Sequence, residues 1–119
     1  MATYRMTMLV CADLARSRDF YRDVIGLKVG NDQPPHWVDF ALGGGAQLGL
    51  HPVTPDMAVK PGSMSIGFGV DDVDATVAGM KSKGVRVISQ PVDENFGRLA
   101  VIADPDGYPV QLVTPKRWG

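Results

Sequence analysis

Apolar and polar positions along the chain fall into two halves that repeat one order of signals. In the first half the apolar run 6–12 reads as a strand, and Asp13 then opens a helix as its N-cap. The inward positions Leu14, Ser17, Tyr21, Val24 and Ile25 recur at helical spacing, and Gly26 stops the helix as the residue past its C-terminus. Three strands are predicted next, over 27–30, 36–42 and 47–51, parted by turn residues at 31–35 and by the glycines at 43–45. The second half opens with an apolar run over 65–70. Asp72 caps a helix that turns Val73, Thr76, Val77 and Met80 inward, and Gly84 ends it. Strands follow over 85–89, 99–103 and 108–114, the last two joined by the Asp104-Pro105-Asp106-Gly107 hairpin turn.

Each half is therefore β-α-β-β-β. Asp13 falls on Asp72, Leu14 on Val73, Ser17 on Thr76 and Leu9 on Phe68 without a gap, which marks an internal repeat. Residues 52–63 contain Pro52, Pro55 and Pro61 and are predicted to hold no regular element. They are read as the linker between modules 1–51 and 64–119 of a single domain, 1–119.

Composition narrows the functional classes. A chain of 119 residues with 45% hydrophobic and 21% charged side chains has the make-up of one globular domain. The net charge is −1 and no basic block stands out, so neither a nucleic-acid surface nor a polybasic membrane patch is expected. No apolar run approaches the length of a membrane span. The first dozen residues, broken by Arg5 and Thr7, do not read as a secretory signal, and the chain is expected in the cytoplasm. Cys11 is the single cysteine, which excludes an intrachain disulfide and a Cys-rich zinc site. Of the thirteen acidic residues only Glu94 is a glutamate, and it is placed in a loop before Phe96.

Two segments carry a resemblance to a known family. The stretch from Asp13 to Leu27, with Leu14, Ser17, Phe20, Tyr21 and Gly26, resembles the helix segment of the glyoxalase, bleomycin-resistance and extradiol-dioxygenase superfamily. The ending Phe96-Gly97-Arg98 followed by Asp104-Pro105-Asp106-Gly107 is similar to that superfamily's second signature. The resemblance implies an α+β fold of two βαβββ modules forming a cupped, eight-strand barrel-like sheet, often completed across a homodimer. It also implies, for metal-dependent members, a His early in the first strand of each module and a Glu on each last strand. Those positions fall here on Met6, Ser65, Gly49 and Gln111, none of which is a strong ligand for a divalent ion. No metal and no other cofactor is expected.

Strand alternation then sorts the cavity candidates. In the first strand Leu9 and Cys11 are assigned to the helix side, leaving Met6, Met8 and Val10 toward the cavity. In the 36–42 strand Val38, Phe40 and Leu42 are assigned to the core, leaving Trp37, Asp39 and Ala41. In the 65–70 strand Ile66, Phe68 and Val70 go to the helix side, leaving Ser65, Gly67 and Gly69. Gly49, Gly67 and Gly69 either clear space for a ligand or relieve sheet curvature. Trp37 either stacks a planar ligand or plugs the interior or a dimer contact. Arg98 either pairs with an anionic or carbonyl group or is solvated, and His51 is either a ligand or a hydrogen-bonded strand-end residue. Gln47, His51 and Gln111 complete a polar wall opposite Met6 and Met8.

The reading that follows is a metal-independent protein that sequesters an aromatic or amphipathic small molecule, like the superfamily's antibiotic-resistance branch, and acts as a homodimer. The alternatives are a lyase, isomerase or dioxygenase of the same superfamily with an atypical or absent metal site, and an interaction subunit with a filled cavity.

Overall fold

The computed structural model describes residues 1–116, and Trp118 lies outside the described residues. The chain forms two compact units, residues 1–60 and residues 61 onward. Both use the same α+β plan.

In the first unit β1 (Met6–Cys11) leads into α1 (Leu14–Asp19), which continues directly as a π-helical turn, Phe20–Ile25. β2 (Lys28–Gln33), β3 (Trp37–Gly43) and β4 (Ala46–Pro52) complete a four-stranded sheet of order β1-β4-β3-β2. β1 pairs with β4 in parallel and the other pairs are antiparallel. Asp13 starts the helix by accepting the Arg16 N–H at 3.1 Å, and Gly26 ends it at a φ of 91° that only glycine adopts without strain.

The π-helical turn was not foreseen in the apolar periodicity. It opens on the Phe20–Tyr21 pair, whose rings meet edge to face at 5.0 Å, with Tyr21 in turn 6.1 Å from Phe40 of β3. Leu14, Ser17, Phe20 and Tyr21 are buried, whereas the expected Val24 and Ile25 are only half-buried. Leu9, Cys11, Val38, Phe40, Leu48 and Leu50 form the sheet's side of this core. Leu42, assigned to the core by alternation, is 41% exposed, because the β3–β4 register slips between Ala41 and Gly43 as the strands enter the glycine hairpin.

The second unit repeats the plan with β5 (Ile66–Gly69), α2 (Val73–Ser82), β6 (Val87–Glu94), β7 (Gly97–Ala103) and β8 (Pro109–Pro115), in the order β5-β8-β7-β6. Val73, Val77 and Met80 are buried, as are Ala100, Ile102, Val110 and Leu112 of the sheet. The expected inward Thr76 is half-buried and turns its hydroxyl back to the Asp72 carbonyl at 2.8 Å. At the β7–β8 turn, Asp104 Oδ1 accepts the N–H groups of Asp106 and Tyr108, each at 2.9 Å.

β4 and β7 exceed their predicted ranges by two residues each. β2 and β6 run further past their predicted C-terminal ends, for one reason. β2 and β6 are both edge strands, and bulges between Val29 and Asp32 and at two points between Val87 and Val92 absorb residues that break alternation. An edge position also tolerates Pro91, which has no N–H for a ladder. Glu94 therefore ends β6, paired with Gly97, and is not in a loop. The 52–63 segment holds only an isolated Thr54–Met57 bridge and a 3₁₀ turn, Pro61–Ser63, beyond the end of β4.

Asp72 caps α2 on the Ala75 N–H at 3.1 Å with backbone angles of −143° and 99°, against −140° and 103° at Asp13. Because the two caps are alike, Asp13→Ala and Asp72→Ala should each lower the unfolding free energy by about 1 kcal/mol. Urea denaturation of the two variants beside the parent protein checks this, and a loss at one site only would show that the caps are not equivalent.

Candidate functional site

The first sheet has one face packed on its helix and one face turned away from it, and the chemistry gathers on the second. Residues on that face follow from register. Met8, Gly49 and Asp39 share one row across β1, β4 and β3; Met6, Gln47 and Ala41 share the next; Val10 lies beside His51. Trp37 stands on the same face of β3 as Asp39, two residues away.

Asp39 is the pivot of this face. Its carboxylate is only 3% exposed as a residue and accepts three hydrogen bonds. Trp37 Nε1 donates at 2.8 Å, and the Asn31 backbone N–H and Nδ2 each donate at 2.9 Å. The Asn31 N–H points at Asp39 because the β2 bulge between Val29 and Asp32 takes it out of the ladder. Burial alone would raise the Asp39 carboxyl, but the hydrogen bonds from the Asn31 side chain, Trp37 and the Asn31 backbone outweigh it and hold the group below the usual carboxylate range. Asp39 is thus an anion at neutral pH.

Two glycines make this arrangement fit. A Cβ at Gly30 would collide with Asp39 Oδ1. A Cβ at Gly49 would stand 2.8 Å from Trp37 Cζ2, nearer still to Cη2, and 3.2 Å from Met6 Sδ. The space cleared at Gly49 is therefore filled by the chain's own indole, which lies across β4 beside Met6. At Gly67 the nearest atom to an added Cβ is Gln111 Cβ at 3.5 Å, an ordinary contact, and at Gly69 the nearest is the Val113 carbonyl at 4.0 Å, so neither glycine is required by crowding.

His51 packs edge-on against Trp37, ring centroids 6.4 Å apart at 76°. Its Nδ1 lies 2.8 Å from the Pro52 carbonyl, which only accepts, so the ring donates there and Nε2 is its acceptor when neutral. Met8 is 36% exposed, and Met6, Val10, Trp37 and Gln47 are half-buried.

In the second sheet Ser65, Gly67 and Gln111 come together: Gly67 pairs with Gln111 across β5 and β8, and Gln111 Nε2 donates to Ser65 Oγ at a long 3.5 Å. Arg98 does not join them. It shares the helix-side parity of Ala100 and Ile102, and its guanidinium grips both oxygens of Asp74 on α2, at 2.7 and 3.0 Å, and Asp93 at 3.0 Å. Of the two readings of Arg98, pairing with a ligand group or solvation, neither described this ion pairing to Asp74 of α2 and Asp93 of β6.

At the family positions the donor chemistry is weak. Met6 offers a thioether, Ser65 a hydroxyl, Gln111 an amide and Gly49 no side chain. A zinc, nickel or iron centre needs several imidazole or carboxylate donors converging. Among the described residues no three His, Cys, Asp or Glu side chains come together, and the residues present do not fit such an ion. Apart from this face, a shallow cleft of about 410 Å³ runs past Ala12, Asp13 and Leu14 to Pro34, Pro35 and Pro52.

Sequence reading missed Gly30 and Asn31, the second placed in a turn. A Gly-Asn pair in a strand-forming stretch is a bulge signal, and it was the available clue.

Residues 4–112 match the family model described as the Glyoxalase/Bleomycin resistance protein/Dioxygenase superfamily. The chain is 32% identical over 115 residues to the uncharacterized protein YaeR of Escherichia coli strain K12, covering 87% of this chain and 89% of that one. It is 30% identical over 122 residues to the lactoylglutathione lyase of Haemophilus influenzae, covering 92% and 90%. Among solved structures, TnmS3, an antibiotic binding protein from Streptomyces sp. CB03234, matches with a TM-score of 0.81 at 30% identity over 98% of each chain. With the family model spanning both βαβββ units, the chain belongs to the Glyoxalase/Bleomycin resistance protein/Dioxygenase superfamily.

Proposed function

We propose that this protein is a metal-independent binding protein that sequesters a planar aromatic or amphipathic small molecule. The observation that carries this reading is Trp37, an indole fixed by the Asp39 carboxylate and seated in the room left by Gly49. A ring held in one orientation before the ligand arrives lowers the entropy cost of binding. Met6, Met8 and Val10 beside it supply an apolar surface that adapts to an irregular shape. The likeness to an antibiotic binding protein over 98% of each chain supports the same reading.

The similarity to a lactoylglutathione lyase favours the alternative, a lyase, isomerase or dioxygenase. Against it stands the donor set at Met6, Gly49, Ser65 and Gln111. The working form we propose is a cytoplasmic homodimer: each sheet presents two edge strands, which such folds cover by association. No helix among the described residues is long and apolar enough to cross a membrane.

Three outcomes are expected. With Trp118 replaced by Phe, so that Trp37 is the single indole, a panel of planar aromatic compounds should contain members that change its emission saturably. Trp37→Ala should weaken those members about tenfold, the equivalent of about 1.4 kcal/mol of stacking. A loss of several kcal/mol of stability with affinity unchanged would instead make Trp37 a packing residue. Millimolar nickel, zinc or manganese should leave the Tm unchanged, whereas a tight site at 100-fold excess over Kd would add about 2.7 kcal/mol; a clear upward shift lost on His51→Ala would favour the enzyme. Sedimentation at tens of micromolar should show a dimer, and a monomer alone would remove that part of the proposal.

A further inference from the structure

Asp39 differs from the ion-paired carboxylates among the described residues in the company it keeps. Asp19, Asp23 and Asp32 are paired with Arg18 or Arg22, and Asp74 and Asp93 with Arg98. Those pairs stand on partly exposed side chains, where water and a guanidinium together screen the charge. Asp39 is buried, and its three donors are the Trp37 indole, the Asn31 amide side chain and the Asn31 backbone, all neutral. Among the described residues no Lys, Arg or His is within ion-pair reach of it. Neutral donors stabilise an anion without cancelling it, so a full negative charge remains fixed in the sheet surface.

The neighbours on that face do not cancel it either. Met6, Met8, Val10, Ala41 and Gln47 carry no charge, and His51 directs its Nδ1–H to the Pro52 carbonyl. The aromatic group coupled to the carboxylate is the indole, which shares it with Asn31 and donates its Nε1–H at 2.8 Å. An aromatic face is already the negative pole of the ring's quadrupole, and cations are drawn to it, to Trp most of all. A hydrogen bond from the ring to an anion polarises it further in the same sense. A ligand ring laid on Trp37 would thus meet two attractions for positive charge at once, the π face and the carboxylate at its edge.

We infer that the Trp37 platform selects planar ligands that carry a positive charge, and that Asp39 sets this preference. The inference rests on the reading of Trp37 as the ligand platform and adds the electrical character of what binds. It also gives Asp39 a role without ligand contact: the residue is 3% exposed, with three hydrogen bonds accepted from Asn31 and Trp37, and it acts through its field and through the ring it holds.

The test compares three tricyclic probes of similar shape by titration calorimetry at pH 8: N-methylacridinium, a permanent cation; 9-anthracenemethanol, neutral; and 9-anthracenecarboxylate, an anion. At low salt the cation is expected to bind about tenfold tighter than the neutral probe and the anion weakest, and raising the salt to about 0.5 M should narrow the gap. In Asp39→Asn, which keeps an oxygen for the indole N–H but not the charge, the cation-to-neutral ratio should fall to about one, whatever the absolute affinities. Equal binding of cation and neutral probe to the parent protein overturns the inference while leaving the platform standing. So does a preference that survives in Asp39→Asn. Should that variant not fold, the parent protein's ratio and its salt dependence decide. Absence of binding by all three probes, or binding indifferent to Trp37→Ala, overturns the platform and the inference with it.

Discussion

A carboxylate taken out of water without a cation has to be surrounded by donors, and in the first unit that requirement at Asp39 organises all four strands. β2 must bulge to turn the Asn31 N–H toward it, and residue 30 must be glycine to let the carboxylate in. β3 supplies both Asp39 and the Trp37 that donates to it. β4 must be bare at Gly49 to receive the indole, and Met6 of β1 closes against the same spot. Remove the anion and the bulge, the two glycines and the tryptophan's pose lose their common reason.

The second unit shows the same plan put to another use. Its first and last strands are parallel neighbours as in the first unit, and its helix begins with the same cap. Its strongest charged contact, however, lies on the helix side, where Arg98 binds Asp74 in the first turn of α2 and Thr114 accepts the Val73 N–H at 2.9 Å. Both contacts come from a neighbouring strand pair, Arg98 and Thr114 being opposite one another. The buried carboxylate of the first unit thus lies on the face away from its helix, whereas the Arg98 cluster of the second ties a strand to the start of its helix.

The caps at Asp13 and Asp72, the stop at Gly26 and the Asp104–Gly107 turn were legible in the sequence because each is local: a side chain answers a backbone group within four residues. The facing of Trp37, Asp39 and Gly49 was legible because alternation is a strict period of two. What escaped was set by partners distant in the chain. The bulges that lengthen β2 and β6 depend on which strand lies alongside, and the crowding that makes Gly49 necessary and Gly67 optional depends on which side chain crosses the strand. The ion pairs of Arg98 were not legible because they depend on β7 beginning at Gly97 and carrying Arg98 on the same face as Ala100, against α2.

Gly49 also bears on how this chain stands to metal-using members of its superfamily. The position is the one at which the resemblance places a ligating glutamate, and here it lies under the Trp37 ring. A carboxylate and the indole cannot occupy that volume together. A ligating side chain at this position therefore cannot be added alone; the tryptophan must move or be replaced in the same step. The glycine thus couples what residue 49 can be to what residue 37 is.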